Sequence, residues 1–319
     1  MNRQIKIIEQ EDLTMQQLDK LREKYARENQ SIFCHLERIY HEKTLDYTDY
    51  LGIDTLLTLQ KPKTNFPDET IFIVYHQIVE LYFRLILWEL EQLTDPNDPK
   101  PADLFIEKVK RVNRYFNCVI SSFDIMANGL DKVQFLKFRY ALFPASGFQS
   151  FQYRKIEMCA TDAINLVNRK WLPYIKNTEE MEELYERTYW KRGAVENDTG
   201  GKSVTLTDFE RKYDTKLLQH LKDYQGRNLY QMYQNHIEGT AAEEEARKVL
   251  REFDQAANIR WQLAHYKVAM KHLTSKKKTT VKSTGGTNWR KYLNPRFQMI
   301  SFFPKLWSSS EMEQWGHID

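Results

Sequence analysis

The most apolar stretch of this chain, residues 70–93 (TIFIVYHQIVELYFRLILWELEQL), contains a histidine among its aliphatic and aromatic residues. The apolar residues cover more than one face of a helix, and a helix of that kind is buried on most sides. Charged and amide side chains interrupt the stretch too often for a membrane span. We therefore expect a buried helix, in which few positions can hold a polar side chain.

His76, Glu80 and Arg84 follow one another at intervals of four residues, so they form one stripe along that helix. A buried polar group without a partner costs about 1–3 kcal/mol, so each of the three needs a partner. Two interpretations are open: the stripe is hydrogen-bonded to neighbouring helices, or it borders a cavity that holds a polar ligand. The pattern alone favours the first, because most buried polar groups are satisfied inside the protein.

Composition predicts an all-α protein. The 319 residues include only 11 glycines and 9 prolines, whereas strong helix formers are frequent. A formal net charge of +3 gives no long-range attraction for nucleic acid. The basic run at residues 276–278 is interpreted as a solvated loop rather than a phosphate-binding patch.

Cysteine usage and the N-terminal sequence bear on the compartment. Cys34, Cys118 and Cys159 are widely spaced and odd in number, which argues against a zinc site or a disulfide framework and fits a reducing cytoplasm. The first fifteen residues lack the apolar segment of a signal peptide. We therefore predict a cytoplasmic protein with neither a membrane nor a nucleic acid as partner.

Helical periodicity recurs along the chain and predicts a single domain over residues 1–319. Residues 1–50 form an N-terminal arm, residues 178–236 are read as a small helical insertion, and Asp68 is the expected N-cap of the central helix. Pro144 and Gly147 place a turn within residues 142–148. Other helices are expected over residues 11–42, 53–59, 102–130, 149–167 and 241–273.

Most standard catalytic motifs are missing from the sequence. The chain contains no HExxH pair, no GxSxG elbow and no GxxxxGK phosphate loop. One chemistry needs only a single protein ligand, namely haem iron held by one proximal histidine, which leaves the opposite axial position for O₂. A lone histidine on a helix does not by itself indicate haem.

Four segments resemble the tryptophan 2,3-dioxygenase family. Residues 72–82 (FIVYHQIVELY) are similar to its F-I-x-x-H-Q-x-x-E-L-W signature, and residues 135–154, which include FLKFR and PASGFQSFQYR, to its F-R…P-x-S-G-F-Q-S-x-Q-[YF]-R block. Residues 261–287, from Trp261 to the TGGT sequence, resemble its proximal-histidine helix and T-G-G loop. Residues 302–307 (FFPKLW) resemble its end, and order and approximate spacing agree from about residue 47 to residue 307.

The resemblance implies a helical haem-binding domain of the tryptophan/indoleamine dioxygenase type, with haem b and ferrous iron. His265 would be the axial iron ligand. His76 would lie on the distal side and hydrogen-bond the indole N–H of the substrate, with Phe72 packed on the indole ring. Ser146 would lie at the haem edge, beside Phe143.

The resemblance also implies the remaining substrate contacts. Arg139 would clamp the substrate carboxylate, a role that suits its planar guanidinium. Phe135 stands where some members carry a carboxylate-binding tyrosine, and Thr284 would contact the ammonium or carboxylate. An aromatic segment would close the pocket of a neighbouring subunit in a homotetramer, through Tyr47, Tyr50 and Leu51.

The implied reaction inserts both atoms of O₂ across the indole C2–C3 bond of L-tryptophan and gives N-formylkynurenine. Three departures from the family pattern leave an alternative: Tyr82 replaces a tryptophan, Tyr140 stands where many members have an acidic residue, and Phe143 replaces a small one. Phe143 either narrows the pocket or packs in the surrounding core. The alternative is a related haem oxygenase that acts on a substituted tryptophan or another aromatic substrate, or that inserts one oxygen atom.

A third hypothesis, from a different class, is a haem-binding or sensing protein without catalysis. His76, Arg139 and Thr284 argue against it, since a sensor does not need a carboxylate clamp.

Overall fold

The computed structural model describes residues 2–42, 46–168, 171–175, 180–194, 201–274, 290 and 293–317. These residues form helices and no strand, apart from an isolated β-bridge between Val167 and Thr188. The prediction of an all-α fold is therefore confirmed. The chain divides into two compact units, Met1–Leu59 and Gln60–Asp319.

The unit Met1–Leu59 begins with two helices where the sequence predicted one over residues 11–42. The break follows the turn at Asn29, whose φ of +56° lies in the left-handed region that asparagine tolerates better than most residues. The Ser31 hydroxyl then accepts a hydrogen bond from the Phe33 amide and caps the second helix. The helices of this unit are α1 (Asn2–Arg27), α2 (Ile32–His41), α3 (Tyr47–Leu51) and α4 (Ile53–Leu56).

The unit Gln60–Asp319 contains the long helices and the hydrophobic core. Short 3₁₀ turns at Arg139–Leu142 and Gly147–Gln149 connect two of its helices. Its α-helices are α5 (Asp68–Leu93), α6 (Ala102–Asn128), α7 (Lys132–Phe138), α8 (Phe151–Ala160), α9 (Met181–Glu186), α10 (Tyr189–Gly193), α11 (Val204–Asp223), α12 (Leu229–His236), α13 (Glu243–Gln255), α14 (Trp261–Leu273), α15 (Pro295–Gln298) and α16 (Ser309–Glu313).

Helices α5 and α6 pack antiparallel, since the pairs Glu89–Lys108 and Phe83–Phe116 run in opposite directions along them. Helix α13 lies along another side of α6, where Phe253 contacts Phe116. Helix α8 packs on α5 through contacts such as that between Phe83 and Tyr153, whose ring centroids are 5.4 Å apart. The central helix predicted from residues 70–93 is thus the element around which this unit is built.

Helix α5 is less buried than its composition predicted. Among the described helices it alone is long and apolar enough to cross a membrane by length and composition, and it packs along α6 and α8. Those neighbours cover only part of its circumference. An apolar stripe therefore remains exposed in the single chain, at Val74, Ile78, Leu81, Leu85 and Trp88.

The start of α5 corrects one expectation. Asp68 is the first helical residue and not the N-cap, and its carboxylate accepts a hydrogen bond from the Asp131 amide at the start of α7. The next residue, Glu69, is fully buried and accepts hydrogen bonds from the backbone amides of Lys63 and Thr64. The two carboxylates therefore tie the preceding loop and α7 to the first turn of α5.

The segment predicted as an insertion, residues 178–236, contains α9 to α12 in its described part. Its buried side chains, including Phe209, Leu217 and Tyr230, belong to the same hydrophobic core as α5 and α6. The described part of this segment therefore shares the core of the second unit instead of forming one of its own.

A π-helical stretch, Ala256–Arg260, joins α13 to α14 in the region where the sequence predicted one continuous helix. Such stretches are rare and frequently occur at functional sites, because the extra residue in the turn redirects the side chains that follow. Here it lies five residues before His265.

Candidate active site

His76 lies in the middle of α5, and its ring orientation is fixed by its own helix. Its Nδ1 is 2.7 Å from the carbonyl oxygen of Phe72. Because a carbonyl only accepts, we infer that Nδ1 carries the hydrogen, and the Nε2 of the neutral ring is then an acceptor. The Phe72 ring packs on the imidazole with 4.1 Å between centroids.

Burial keeps the His76 ring in its neutral form. Desolvation lowers the pKa of His76, and the Phe72 carbonyl and the Glu80 carboxylate oppose that shift only in part. A neutral ring with Nδ1 occupied can offer only Nε2 to a ligand, and there it accepts a hydrogen bond. In the described part of the chain Nε2 has no hydrogen-bond partner.

The other members of the predicted polar stripe have partners. The side-chain amide of Gln152 on α8 donates to the Glu80 carboxylate, with 2.9 Å between Nε2 and Oε2. Arg84 forms an ion pair with Glu91 at the surface, with 3.2 Å between Nη1 and Oε2. The interpretation as a stripe bonded to neighbouring helices therefore holds for Glu80. Arg84 is exposed and pairs within α5, and His76 keeps one nitrogen for another partner.

His265 lies on α14, one turn after Trp261, and its ring stacks on Phe123 of α6 with 5.7 Å between centroids. Burial, with a smaller contribution from the neighbouring His76, lowers the pKa of His265 to about 4. Gly147 also approaches this ring, since a Cβ at that position would lie 3.9 Å from His265 Cε1.

Aromatic rings connect the two histidines across α5 and α6. Tyr75 contacts His76 at 5.2 Å between centroids and Phe123 at 5.9 Å, and Phe123 stacks on His265. The sequence reasoning missed Tyr75 and Phe123 as lining residues. Both are buried apolar positions on long helices, a pattern that cannot be told from ordinary core.

Phe135 lies in the middle of α7, and Arg139 follows the end of that helix. The Phe135 ring is 6.1 Å from that of Phe72, and the Phe138 ring is 5.8 Å from it, so both reach the predicted substrate side. Arg139 follows Phe138 directly and is buried. Burial lowers the pKa of its guanidinium, with Tyr140 opposing the shift. A buried guanidinium is suited to bind a carboxylate, which repays its desolvation.

Ser146 begins the turn that carries Gly147 toward His265. Its amide donates to Gln149 Oε1 at 2.9 Å, and the Gln149 side chain donates to the backbone carbonyl of Thr205. Phe143 is 59% exposed, so it is not part of the surrounding core, one of its two predicted roles.

Two further groups of predicted residues lie in the first unit or outside the described residues. Tyr47, Tyr50 and Leu51 form part of α3 in the first unit, where their side chains are 75%, 73% and 46% exposed. Thr284 lies outside the described residues, as does the basic run at residues 276–278.

The surroundings of His265 fit a haem group. An iron ligand must be a neutral imidazole, and the lowered pKa of His265 keeps it neutral. Neither ring nitrogen is hydrogen-bonded to the described residues, and Trp261 Nε1 and Gln262 Oε1 are buried without partners in that part of the chain. Aromatic side chains supply the apolar walls that a porphyrin needs.

Two other features lie away from these residues. A cavity of about 210 Å³ is bounded by α8, α9, α11 and α12, and none of the predicted site residues lines it. The acidic side chains of Glu186, Glu210 and Asp214 converge on the Lys191 ammonium, and each forms an ion pair with it.

Comparison with known proteins identifies the family. The model of the tryptophan 2,3-dioxygenase family matches residues 36–282, more than half of the chain. The chain belongs to the tryptophan 2,3-dioxygenase family. The match includes His76, Arg139 and His265 and stops before Thr284.

Individual members of the tryptophan 2,3-dioxygenase family match over shorter stretches. A protein of that name from Herpetosiphon aurantiacus is 41% identical over 120 residues, which are 36% of this chain and 45% of its own. One from Bacillus thuringiensis (strain Al Hakam) is 36% identical over 134 residues, 41% of this chain and 47% of its own. One from Pseudomonas fluorescens is 37% identical over 123 residues, 39% of this chain and 43% of its own. The chain thus spans a little under half the length of the curated relatives it matches.

Proposed function

We propose that this protein is a haem-dependent dioxygenase that cleaves the indole C2–C3 bond of L-tryptophan with O₂ and releases N-formylkynurenine. The observation that carries the proposal is the pair of partly buried, neutral histidines on different helices. His76 keeps an acceptor nitrogen open, and His265 has no hydrogen bond to the described residues. Membership of the tryptophan 2,3-dioxygenase family supports the same reaction.

In this proposal His265 is the axial ligand of haem b, and Ser146 and Phe143 lie at the haem edge. Ferrous haem b supplies the binding and activation of O₂. The protein contributes a neutral imidazole, held on α14 just after the π-helical stretch and packed on Phe123. The close approach of Gly147 to this ring supports a place for Ser146 beside the haem.

The substrate is held at both of its ends. The Arg139 guanidinium binds the carboxylate of L-tryptophan in a bidentate manner, and Thr284 completes the contact with its ammonium or carboxylate. Phe72 packs on the indole ring, and Phe135, whose ring faces that of Phe72, extends the apolar wall. An apolar pocket of this kind would be costly for an unpaired carboxylate, so the clamp also selects amino acids over plain indoles.

His76 acts on the indole nitrogen. With Nδ1 bonded to the Phe72 carbonyl, Nε2 accepts a hydrogen bond from the indole N–H and fixes the ring in its plane. The same nitrogen can take up that proton, because a neutral imidazole is a base near neutral pH.

We further propose that the protein works as a homo-oligomer, a tetramer by family resemblance. The exposed stripe on α5 supports this, because Val74, Ile78, Leu81, Leu85 and Trp88 follow the 4-3-4-3 spacing of a helix-packing seam. The exposure of Tyr47, Tyr50 and Leu51 in the single chain is consistent with a role in the pocket of a neighbouring copy. We infer a cytoplasmic location without membrane or nucleic acid; the packing of α5 along α6 and α8 and the net charge of +3 support this.

One assay tests the reaction. The protein is reconstituted with haem, reduced, and mixed with L-tryptophan and O₂, and we expect the absorbance of N-formylkynurenine to appear. Mass spectrometry with ¹⁸O₂ should find both labelled atoms in the product. A hydroxylated indole with one labelled atom, or no turnover by a five-coordinate ferrous haem protein, would contradict the proposal.

A charge in the α5 stripe tests the oligomer. Leu81→Lys should reduce the mass measured by light scattering after gel filtration, because a lysine in a buried apolar seam is strongly unfavourable. Val133→Lys, which adds a lysine at an exposed apolar position of α7 outside the stripe, serves as the control. If Leu81→Lys leaves the mass of a multimer unchanged, the stripe is not the seam.

A further inference from the structure

Gln152 makes an unusual double contact with one residue of α5. Both hydrogens of its side-chain amide point to Glu80: Nε2 is 2.8 Å from the backbone oxygen and 2.9 Å from Oε2. Gln152 lies on α8, and Glu80 lies one turn beyond His76 on α5. No role for Gln152 follows from the proposed reaction, and the residue touches neither histidine through any of these bonds.

The contact decides where the Glu80 carboxylate goes. Residues four apart on a helix are neighbours, so a free Glu80 side chain reaches the His76 ring. A carboxylate bonded to that ring would pull it away from the Phe72 carbonyl or would favour its protonated form, in which both nitrogens donate. Either outcome would remove the acceptor that Nε2 presents.

We propose that Gln152 is a positioning residue of the candidate active site: it holds the Glu80 carboxylate against α8 and so keeps the His76 ring bonded to the Phe72 carbonyl, with Nε2 open to the substrate. The inference rests on the proposed function for its consequence in catalysis. Its structural claim, the state of the His76 ring, stands apart from any activity.

The groups that act on His76 are few. On its own helix the charged neighbour is Glu80, and on α14 the titratable neighbour is His265, which is neutral. From α6 the neighbour is the apolar Phe123, reached through Tyr75, and from α8 it is Gln152 through Glu80. Arg139 enters from the turn after α7. Changing Gln152 or Glu80 therefore changes the electrostatic interaction of Glu80 with the His76 ring and leaves the other interactions of the ring in place.

Two substitutions should act in opposite directions. Gln152→Leu removes both donors and frees the carboxylate to approach the ring, so the pKa of His76 should rise. Glu80→Gln removes the charge but keeps an oxygen for the Gln152 amide, so the pKa of His76 should fall. A general loosening of the α5–α8 contact would not give opposite signs.

The measurement is ¹⁵N NMR of the ¹⁵N-histidine-labelled full chain, in its diamagnetic ferrous carbon monoxide form, titrated in pH. The His76 signals are assigned by their loss in His76→Gln. Wild type should show the tautomer with hydrogen on Nδ1. The double variant Glu80→Gln/Gln152→Leu should titrate like Glu80→Gln alone, because the freed side chain then carries no charge.

Glu91→Gln is the matched control, since it removes a carboxylate from the same helix about 16 Å beyond Glu80. It should leave His76 unchanged, because surface charges at that range are screened by salt. Shifts of the same sign in the two single variants, or none in either, would overturn the proposal. If Gln152→Leu does not fold, Gln152→Met, which has a similar length and also lacks both donors, takes its place and should likewise raise the pKa of His76.

Activity gives the second readout. If the dioxygenase proposal is right, Gln152→Leu should lower kcat/KM at neutral pH while haem content stays constant, and Gln152→Asn should restore part of it by keeping an amide donor. If no N-formylkynurenine forms with the wild type, the dioxygenase proposal fails while the NMR result on His76 still stands.

Discussion

The two candidate histidines lie on helices that are built differently. His76 is in the middle of a regular α-helix, and the carbonyl one turn earlier fixes its ring. His265 follows a π-helical stretch, and in the described residues its ring is held by packing on Phe123 and not by a hydrogen bond. One histidine is thus oriented so that a single nitrogen faces outward, whereas the other keeps both nitrogens available.

The difference suits two kinds of partner. A substrate N–H needs an acceptor at a defined place, and a fixed tautomer provides it. A metal ion forms a strong bond that orients the ring by itself, so the protein needs to supply only a neutral imidazole and space. We therefore expect the two positions to respond differently to substitution, and four predictions follow from the largest effect to the smallest.

Removal of His265 should have the largest effect. His265→Ala should abolish haem retention, because the proposed site has one protein ligand to the iron. The measurement is the ratio of Soret absorbance to protein after gel filtration, with addition of imidazole to the cavity as a rescue. Haem retained at the wild-type ratio and with the wild-type spectrum would refute the assignment of His265 and remove the contrast with His76.

The stability of the protein in acid should test whether burial alone keeps a histidine neutral where no substrate or haem site is predicted. His220 is another partly buried histidine, with Nε2 3.3 Å from Cys159 Sγ, and no site role is predicted for it. Burial lowers the pKa of His220 to about 4 from its usual 6.5. Between these values the unfolded chain binds a proton that the folded chain does not, so stability falls as the pH drops through this window.

The size of that loss is on the order of 3 kcal/mol for a full shift of this kind. Urea unfolding at pH 7 and pH 4.5 measures it, and His220→Gln should flatten the dependence. The exposed His41 provides the control, since His41→Gln removes a histidine from the surface. If the stability of His220→Gln depends on pH as that of the wild type does, burial does not lower the pKa of His220 in the folded protein.

Substitution of His76 should spare the haem and impair the reaction. His76→Ala removes one hydrogen bond to the substrate, which corresponds to about a 10–100-fold fall in kcat/KM. Haem content should equal that of the wild type. Arg84→Gln, on the same helical stripe but paired at the surface, is the control. Loss of haem in His76→Ala would make the two histidines alike and break the comparison.

Much of this arrangement could be predicted from the sequence. Periodicity gives the long helices, and the motif around residues 72–82 points to His76, because both depend on residues close together in the chain. The π-helical stretch before His265 and the break at Asn29 could not be predicted, since each departs from a helix whose periodic pattern continues through it.

Contacts between segments that are far apart in the chain could not be predicted from the sequence either. Gln152 could not be assigned to Glu80 without knowing that α8 packs on α5, and Phe123 could not be told from core without the position of His265. The exposed stripe of α5 has the same origin: apolar residues predict burial, but only the packing shows which of them the single chain leaves uncovered.

The smallest effect is expected at Phe143, an aromatic residue predicted, like His265, to face the haem. Because its side chain is mostly exposed in the single chain, Phe143→Ala should change the free energy of unfolding by no more than about 0.5 kcal/mol. Phe123→Leu, a volume change beside His265 in the core, should cost about 1 kcal/mol and serves as the reference. Urea unfolding compares the free energies of the two variants. A larger loss of stability in Phe143→Ala than in Phe123→Leu would place Phe143 in a packed contact of the assembled protein. The Soret spectrum of Phe143→Ala would then test the haem-side role predicted for this residue.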